Sequence, residues 1–324
     1  MRPFKHVDAG SVEECVSLLR EQKGKACIIA GGIDVVRRLR NRVDMKPPEL
    51  LVNIKTITDL DYISADAGTL RIGALARLEQ IGRDRIVRSE YKALSDAALS
   101  VASWQHRNMI TVAGALCQEV RCWYYHYPDN RNNCLRKGGE RCHAKDGDTR
   151  YLSIFGEVDG CIAANSSDVT PVLIVLGAQV VTDRRTISVE DLFKVSRANQ
   201  TTVLERDEVI KEIRIQKQAN GTKSSFVKFR QRQAIDYPTV NAAACINLEE
   251  GVCKSARICM NAVSPVPYRV VAAENVLVGK KIDEGAAEIA GETAVRDAMP
   301  LPGNKYKVQI AKSLVKRAVL GCMQ

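Results

Sequence analysis

Apolar residues recur with helical spacing in SVEECVSLLREQK, residues 11–23, where Val12, Cys15, Val16 and Leu19 share one face and Ser11 precedes it as a cap. The pattern then changes. KACIIAGGIDVVRRLRNR opens with an unbroken apolar run over Ala26–Ala30, a buried strand, followed by a Gly31-Gly32 turn and a short basic helical turn over Asp34–Arg40. LLVNIK (50–55) predicts a second strand, and TLRIGALARLEQIG (69–82) a strand running into a helix. The first 55 residues therefore read as a small α/β unit. Residues 91–106 predict one further helix, leading into the turning segment HRNMITVAGAL. Beyond residue 157, DGCIAANSSDVTPVLIVLGAQVVTD predicts a strand, a polar turn, a helix beginning near Ser167–Pro171 and a strand ending near Asp183.

Near residue 217 the texture turns polar in KQANGTKSS, which reads as a linker. The segments after it alternate as strands, with Glu249-Glu250-Gly251 as a hairpin turn. The last predicted helix carries Ile310, Leu314, Val315, Ala318 and Val319 as its apolar stripe, with Asn304 as its cap. Three antiparallel strands under a helical layer give an α+β C-terminal domain over 220–324, after a first domain over 1–216 that divides at residue 55.

Composition narrows the class only a little. The chain has 324 residues, 45% hydrophobic and 27% charged, ordinary values for a folded globular protein. No apolar run reaches the length of a membrane span, and MRPFKHVDAGSVEECV lacks the apolar core of a signal peptide, so a cytoplasmic protein is expected. The net charge of +10 is spread along the chain without a dense basic block, which points away from nucleic acid and leaves an acidic protein partner as a use for it. Eleven cysteines, an odd number, argue against a disulfide framework in a reducing compartment.

Candidate chemistry sits in three places. IIAGGIDVV is a strand, a glycine turn and a helix, which lets backbone amides approach a phosphate, although it is not the GxGxxG of a dinucleotide fold. ITVAGAL (110–116) is a second small-residue turn, able to hold a pyrophosphate from the opposite side. The third is CQEVRCWYYHYPDNRNNCLRKGGERCHAKDG, residues 117–147, with four of the eleven cysteines and two of the four histidines. Cys122, Cys134, Cys142 and Cys161 are separated by 11, 7 and 18 residues, which is no ferredoxin spacing. Structural zinc, with His126 or His143 as further ligands, ordinary free thiols, and a four-thiolate iron–sulfur cluster all stay open on the residues alone.

AGGIDVVRRLR, RNMITVAGALCQ, SSDVTPVLIVLGAQV and FVKFRQRQAIDYPTVNAAA, in this order, resemble the FAD-binding subunit of the xanthine dehydrogenase family of molybdenum hydroxylases along nearly the whole chain. The resemblance implies the FAD-binding fold shared with vanillyl-alcohol oxidase and para-cresol methylhydroxylase, built of two α/β subdomains, followed by a small C-terminal domain. It implies that Ile29, Ala30, Gly31, Gly32, Ile33, Asp34, Val35 and Val36 face the FAD pyrophosphate. Thr111, Gly114 and Ala115 would form the second phosphate-binding turn, where Ala113-Gly114 replaces the family's usual pair of glycines. Gln118 and Asp168 fall at cofactor-contacting positions, and Lys228 at a basic position near the flavin. The inserted segment, about 120–161, resembles the loop of a subgroup that includes 4-hydroxybenzoyl-CoA reductase and an aldehyde oxidoreductase. In that subgroup Cys122, Cys134, Cys142 and Cys161 would hold a 4Fe–4S cluster, with Arg121, Arg131, Arg136, Lys137, Arg141 and Lys145 offsetting its charge, and Cys117 is the rival ligand. The partners so implied are a molybdopterin large subunit and a 2Fe–2S small subunit in a dimer of heterotrimers, with ferredoxin as an external carrier. A free-standing flavin oxidase and a zinc-stapled docking protein are the other classes.

Overall fold

The computed structural model describes residues 1–66 and 68–323. Three sheets organise them. In the first, β1 (Lys5–Asp8), β2 (Ala26–Ile29) and β3 (Leu50–Asn53) lie in the order β1-β3-β2, all parallel, with Val7 opposite Val52 and Ile28 opposite Val52 on the other side. Parallel neighbours require crossovers, and the helix Val12–Glu21 supplies the first. It forms where its stripe predicts, burying Val12, Cys15, Val16 and Leu19, and Ser11 caps it by accepting from the Glu14 N–H at 3.1 Å.

The second sheet is antiparallel and five-stranded. It contains β4 (Ile63–Asp66), β5 (Thr69–Gly73), β6 (Gln179–Thr182), β7 (Thr186–Ser188) and β8 (Ile210–Gln216), in the order β4-β5-β8-β6-β7. β5 and β6 both pair with β8 although more than a hundred residues of chain separate them. Its main core takes Leu70, Ile72, Val180, Ile213 and Ile215 from the strands, and Leu94, Ala97, Ala98, Val112, Leu116 and Leu173 from the helices above.

The third sheet holds β9 (Thr222–Phe229), β10 (Val240–Glu249), β11 (Val252–Asn261) and β12 (Tyr268–Arg269), antiparallel in the order β12-β11-β10-β9. It therefore has four strands, against the three expected. β12 is two residues long, too short to show any alternation. The β10–β11 turn is the predicted one: Glu249 pairs with Val252, and Glu250 and Gly251 take φ of 51° and 78°, the left-handed pair that a two-residue hairpin needs. Helix Tyr306–Gly321 covers this sheet with Leu314, Val315, Ala318 and Val319 buried, while Ile310 packs at the edge.

Two further expectations change. The helix over 91–106 is two helices, Lys92–Ser100 and Trp104–Arg107, because Ala102 between them takes φ 44° and Ser103 starts a new helix by accepting from the His106 N–H. Asn304 does not cap the last helix. It is buried in the turn Pro302–Asn304, where its side chain accepts from the Leu301 N–H (2.7 Å) and donates to the Ser153 carbonyl (3.0 Å). Beside it Lys307, fully buried, donates to the Leu152 carbonyl at 2.8 Å, and Tyr306 donates to the Arg150 carbonyl at 2.8 Å. The start of the last helix thus grips residues 150–153, where the cysteine-rich segment rejoins the fold.

Candidate functional site

A cavity of about 1390 Å³ runs between the first and second sheets. Its first wall is the strand–turn–helix IIAGGIDVV. β2 delivers Ile29, the chain turns at Ala30-Gly31-Gly32, and helix Ile33–Arg40 leaves from Gly32, whose φ of 74° an L side chain rarely adopts. Gly31 is constrained differently. A Cβ there would lie 1.9 Å from the Met109 carbonyl oxygen, so the first turn is pressed against the backbone that leads into the second. The need for glycine at 31 comes from this backbone contact.

The second wall is the turn before helix Val112–Cys117. Thr111 caps it, its hydroxyl accepting from the Gly114 N–H at 3.2 Å. The Val112 N–H donates to the Ala76 carbonyl and the Leu78 N–H to the Ile110 carbonyl, tying this turn to the segment that follows β5. Ile29 to Val36, Thr111, Gly114, Ala115, Gln118 and Asp168 all line the cavity. The sequence-expected cofactor residues are therefore brought together with one exception.

The exception is Lys228. It lies on β9, its side chain only 4% exposed, and it faces Asp168 instead of the cavity. Its Nζ donates to Asp168 Oδ2 (2.6 Å) and to the Ser100 carbonyl (3.1 Å), while Asn241 Nδ2 donates to Asp168 Oδ1 (2.8 Å). Burial pushes the Asp168 carboxyl up, with Lys228 and Asn241 pulling the other way. Lys228 is a support that fixes Asp168 at the cavity wall.

Several lining residues had no sequence signal. Ser166 lines the cavity while 4% exposed, and its hydroxyl has no hydrogen-bond partner among the described residues. Lys55 reaches the first turn, its Nζ donating to the Ala30 carbonyl at 3.2 Å. Ile33, Val36, Met109, Ile235 and Tyr237 give the cavity an apolar, exposed rim. Cys117 opens onto it too, and protein otherwise encloses its thiol, so burial, with Cys27 adding, pushes its pKa up to about 12.

The cysteine-rich segment forms the far wall through Tyr125, Arg136, Lys137 and Gly138. It contains no strand. Single helical turns, Trp123–His126, Leu135–Lys137 and His143–Asp146, follow directly on Cys122, Cys134 and Cys142. These three residues and Cys161 pack in one small core with Val120, Leu152 and Ile162. The charges of Cys161 and Cys134 act on Cys122, that of Cys142 acts on Cys134, and those of Cys142 and Cys134 act on Cys161. Burial pushes Cys122 up to about 12 and raises Cys134 and Cys161. In the opposite direction, the amides of Tyr124 and Tyr125 donate to the Cys122 sulfur, those of Arg136 and Lys137 to Cys134, and that of Ala163 to Cys161. Among the described residues no three His, Cys, Asp or Glu side chains are placed to share one metal ion, these cysteines included. A tetrahedral zinc site demands that convergence, with sulfur about 2.3 Å from one centre; a cubane distributes its thiolates over four separate irons.

Side chains hold the segment in place. Arg136 is buried; it donates to Glu119 Oε2 (2.8 Å) and the Gln200 carbonyl (3.1 Å), and also bonds Ala198 and Thr201. Burial alone would raise the Glu119 carboxyl, but Arg136 and Arg38 outweigh it and hold the pKa below the ordinary value. Arg136 Nε is itself buried without a partner among the described residues, and its charge reaches Cys161. His126 is engaged with the backbone. Burial, then Arg37, push His126 down to about 4, and its Nε2 contacts the Val120 carbonyl at 2.9 Å.

Residues 2–217 match the family described as the FAD binding domain in molybdopterin dehydrogenase, and residues 225–322 the CO dehydrogenase flavoprotein C-terminal domain. The chain belongs to this family of FAD-binding subunits. It is an oxidoreductase subunit of the xanthine dehydrogenase and CO dehydrogenase group, and its first domain is an FAD-binding domain. It is 30% identical over 295 residues to the aldehyde oxidoreductase FAD-binding subunit PaoB of Escherichia coli K12, covering 89% of this chain and 88% of that one. The nicotinate dehydrogenase FAD-subunit of Eubacterium barkeri is 26% identical, with 98% and 95% covered. The fold matches a chain of carbon monoxide dehydrogenase from Hydrogenophaga pseudoflava with a TM-score of 0.79 at 24% identity, over 99% of this chain and 98% of that chain. No helix among the described residues is long and apolar enough to cross a membrane.

Proposed function

We propose that this chain is the electron-transfer subunit of a heteromeric molybdenum hydroxylase, carrying FAD in the cavity and a 4Fe–4S cluster on Cys122, Cys134, Cys142 and Cys161. One observation carries the reading: the four cysteines pack in one small core on a segment that also walls the cavity. Two orphaned buried groups suit the two cofactors. Ser166 lines the cavity where FAD offers acceptors, and Arg136, whose charge reaches Cys161, has an Nε–H without a partner among the described residues, from which a cluster sulfur could accept a hydrogen bond. The two turns at Gly31-Gly32 and Thr111–Ala115 present backbone to a pyrophosphate from both sides, and the apolar rim suits a planar ring. The same reading gives residues 1–216 the vanillyl-alcohol oxidase type of fold and 220–324 a separate supporting domain.

Bound there, FAD exchanges two-electron for one-electron traffic and an iron–sulfur cluster passes electrons singly. The protein's own residues bind and orient. Substrate chemistry belongs to a partner subunit with molybdopterin, reached through a 2Fe–2S subunit in a dimer of heterotrimers, and ferredoxin is the external carrier of choice for an extra cluster. The relatives' names span an aldehyde oxidoreductase, a nicotinate dehydrogenase and a carbon monoxide dehydrogenase, which agrees with substrate selection residing outside this subunit.

Iron and flavin analysis of the anaerobically purified complex tests this. Cys134→Ser or Cys142→Ser should remove about four irons per copy of this chain and leave FAD in place. Unchanged iron in both variants would sink the cluster assignment.

A further inference from the structure

The loop between β9 and β10 closes one end of the cavity with Ile235, Asp236 and Tyr237. It is held in an unfavourable shape, since Ile235, a β-branched residue, has φ 53°. Something must over-determine that conformation. Its contacts are few and specific. The Ile235 N–H donates to the Ala102 carbonyl at 3.2 Å. The Tyr237 hydroxyl accepts from Arg37 Nη1 at 3.3 Å, from the helix that follows the first glycine turn. The Arg121 guanidinium lies 4.5 Å from the centre of the Tyr237 ring and 5.1 Å from that of Tyr151, so that it is sandwiched between them. Gln231 Nε2 donates to the Tyr151 hydroxyl at 3.0 Å.

Arg121 stands near the start of the inserted segment, and Tyr151 lies between Cys142 and Cys161. Arg121 immediately precedes Cys122, and its backbone pairs with Ala164 through an N–H···O bond of 2.8 Å. Cover loop and cysteine segment therefore meet around one stacked cation, with the Gln231–Tyr151 hydrogen bond beside it. We infer that Arg121 is a positioning residue through which the cysteine-rich segment clamps Tyr237, and with it the 230–239 loop, over this end of the cavity. The clamp controls how readily small solutes reach the bound flavin, so a change at the thiols is felt at the flavin mouth without either site moving as a body. The inference rests on the reading of the cavity as an FAD site.

Two readouts on the full-length protein, purified with the subunits that accompany it, separate the clamp from the cavity's occupant. The first is amide hydrogen exchange in peptides spanning 230–239, which needs no flavin. Arg121→Met should accelerate it roughly three- to thirty-fold, the range that a cation–π contact supports between exposed and desolvated sites. Arg121→Lys should restore part of the protection, and Tyr237→Phe, which keeps the ring, most of it. Tyr237→Leu should match Arg121→Met, and the double variant should go no further than either alone. The second readout is iodide quenching of flavin fluorescence, which should rise in Arg121→Met at unchanged FAD and iron content. Unchanged exchange in Arg121→Met, or additive effects in the double variant, would overturn the clamp. Should the wild-type protein prove free of FAD, the quenching signal is absent and the cavity reading fails, while the exchange series still decides for or against the clamp.

Discussion

The two walls of the cavity are built on opposite principles. The glycine wall, IIAGGIDVV against TVAGAL, is positioned by regular elements: a parallel strand, helix starts, and one backbone pressed on another at Gly31 and Met109. The cysteine wall has no strand and only single turns of helix, and it is pinned by individual side chains, above all Arg136 with Glu119. A wall of the first kind tolerates no added atom at its contact point. A wall of the second kind tolerates much on its surface but depends on a few buried polar groups, whose loss leaves a charge stranded.

The largest effect should come from the first wall. Gly31→Ala already introduces the colliding Cβ, so it should cost more than about 3 kcal/mol and empty the cavity of FAD, read by thermal unfolding and flavin content. A fully loaded, stable Gly31→Ala protein would break the contrast. Next comes Glu119→Leu, which strands Arg136; a loss of about 3–5 kcal/mol is expected, with proteolytic sensitivity confined to 120–161 and FAD retained. Cleavage spread evenly over the chain would show instead that the segment is not separately pinned.

Acid should act on the cysteine wall in two steps. His126 has its pKa pushed down to about 4 in the fold, against an ordinary value of about 6.5. The unfolded chain binds the extra proton in between, so stability falls as pH drops from about 6.5 to about 4 and this contribution then levels off. Glu119 contributes above the ordinary carboxylate range and loses that contribution only as pH falls through its depressed value. His126→Gln should flatten the first step and leave the second, as measured by denaturation at a series of pH values. The smallest effect belongs to the glycine side: Ser166→Ala removes one hydrogen bond to the cofactor and should weaken FAD binding about two- to twelve-fold, by titration of the apoprotein. No weakening would mean that Ser166 finds its partner elsewhere.

Much of the first wall was legible in the sequence because its signals are local. A strand, a glycine turn and a helix follow one another within a dozen residues, and Glu250-Gly251 announces its own hairpin. The second sheet was read only in part, since β4 and β7 are short and β8 is recognised only by partners far away in the chain. Lys228 illustrates the limit for a single residue. Its position on a strand near the cavity was readable, but its orientation toward Asp168 depends on β9 pairing with β10, which also brings Asn241 to the same carboxylate. Arg136 is a similar case. It sits in a basic, polar stretch that reads as surface, and only the approach of Glu119, Ala198 and Gln200 turns it inward. Four cysteines spaced 11, 7 and 18 apart say nothing of proximity until the turns between them are folded.

The grip of Asn304, Tyr306 and Lys307 on residues 150–153 bears on how the molecule comes into being. A growing chain emerges from its N-terminus, so the cysteine-rich segment is complete in sequence long before the residues that anchor its exit have been made. Its closing contacts form only once residues 304–307 have been synthesised. Whatever those four thiols bind therefore meets them in their final arrangement only after the start of the last helix has been made and docked.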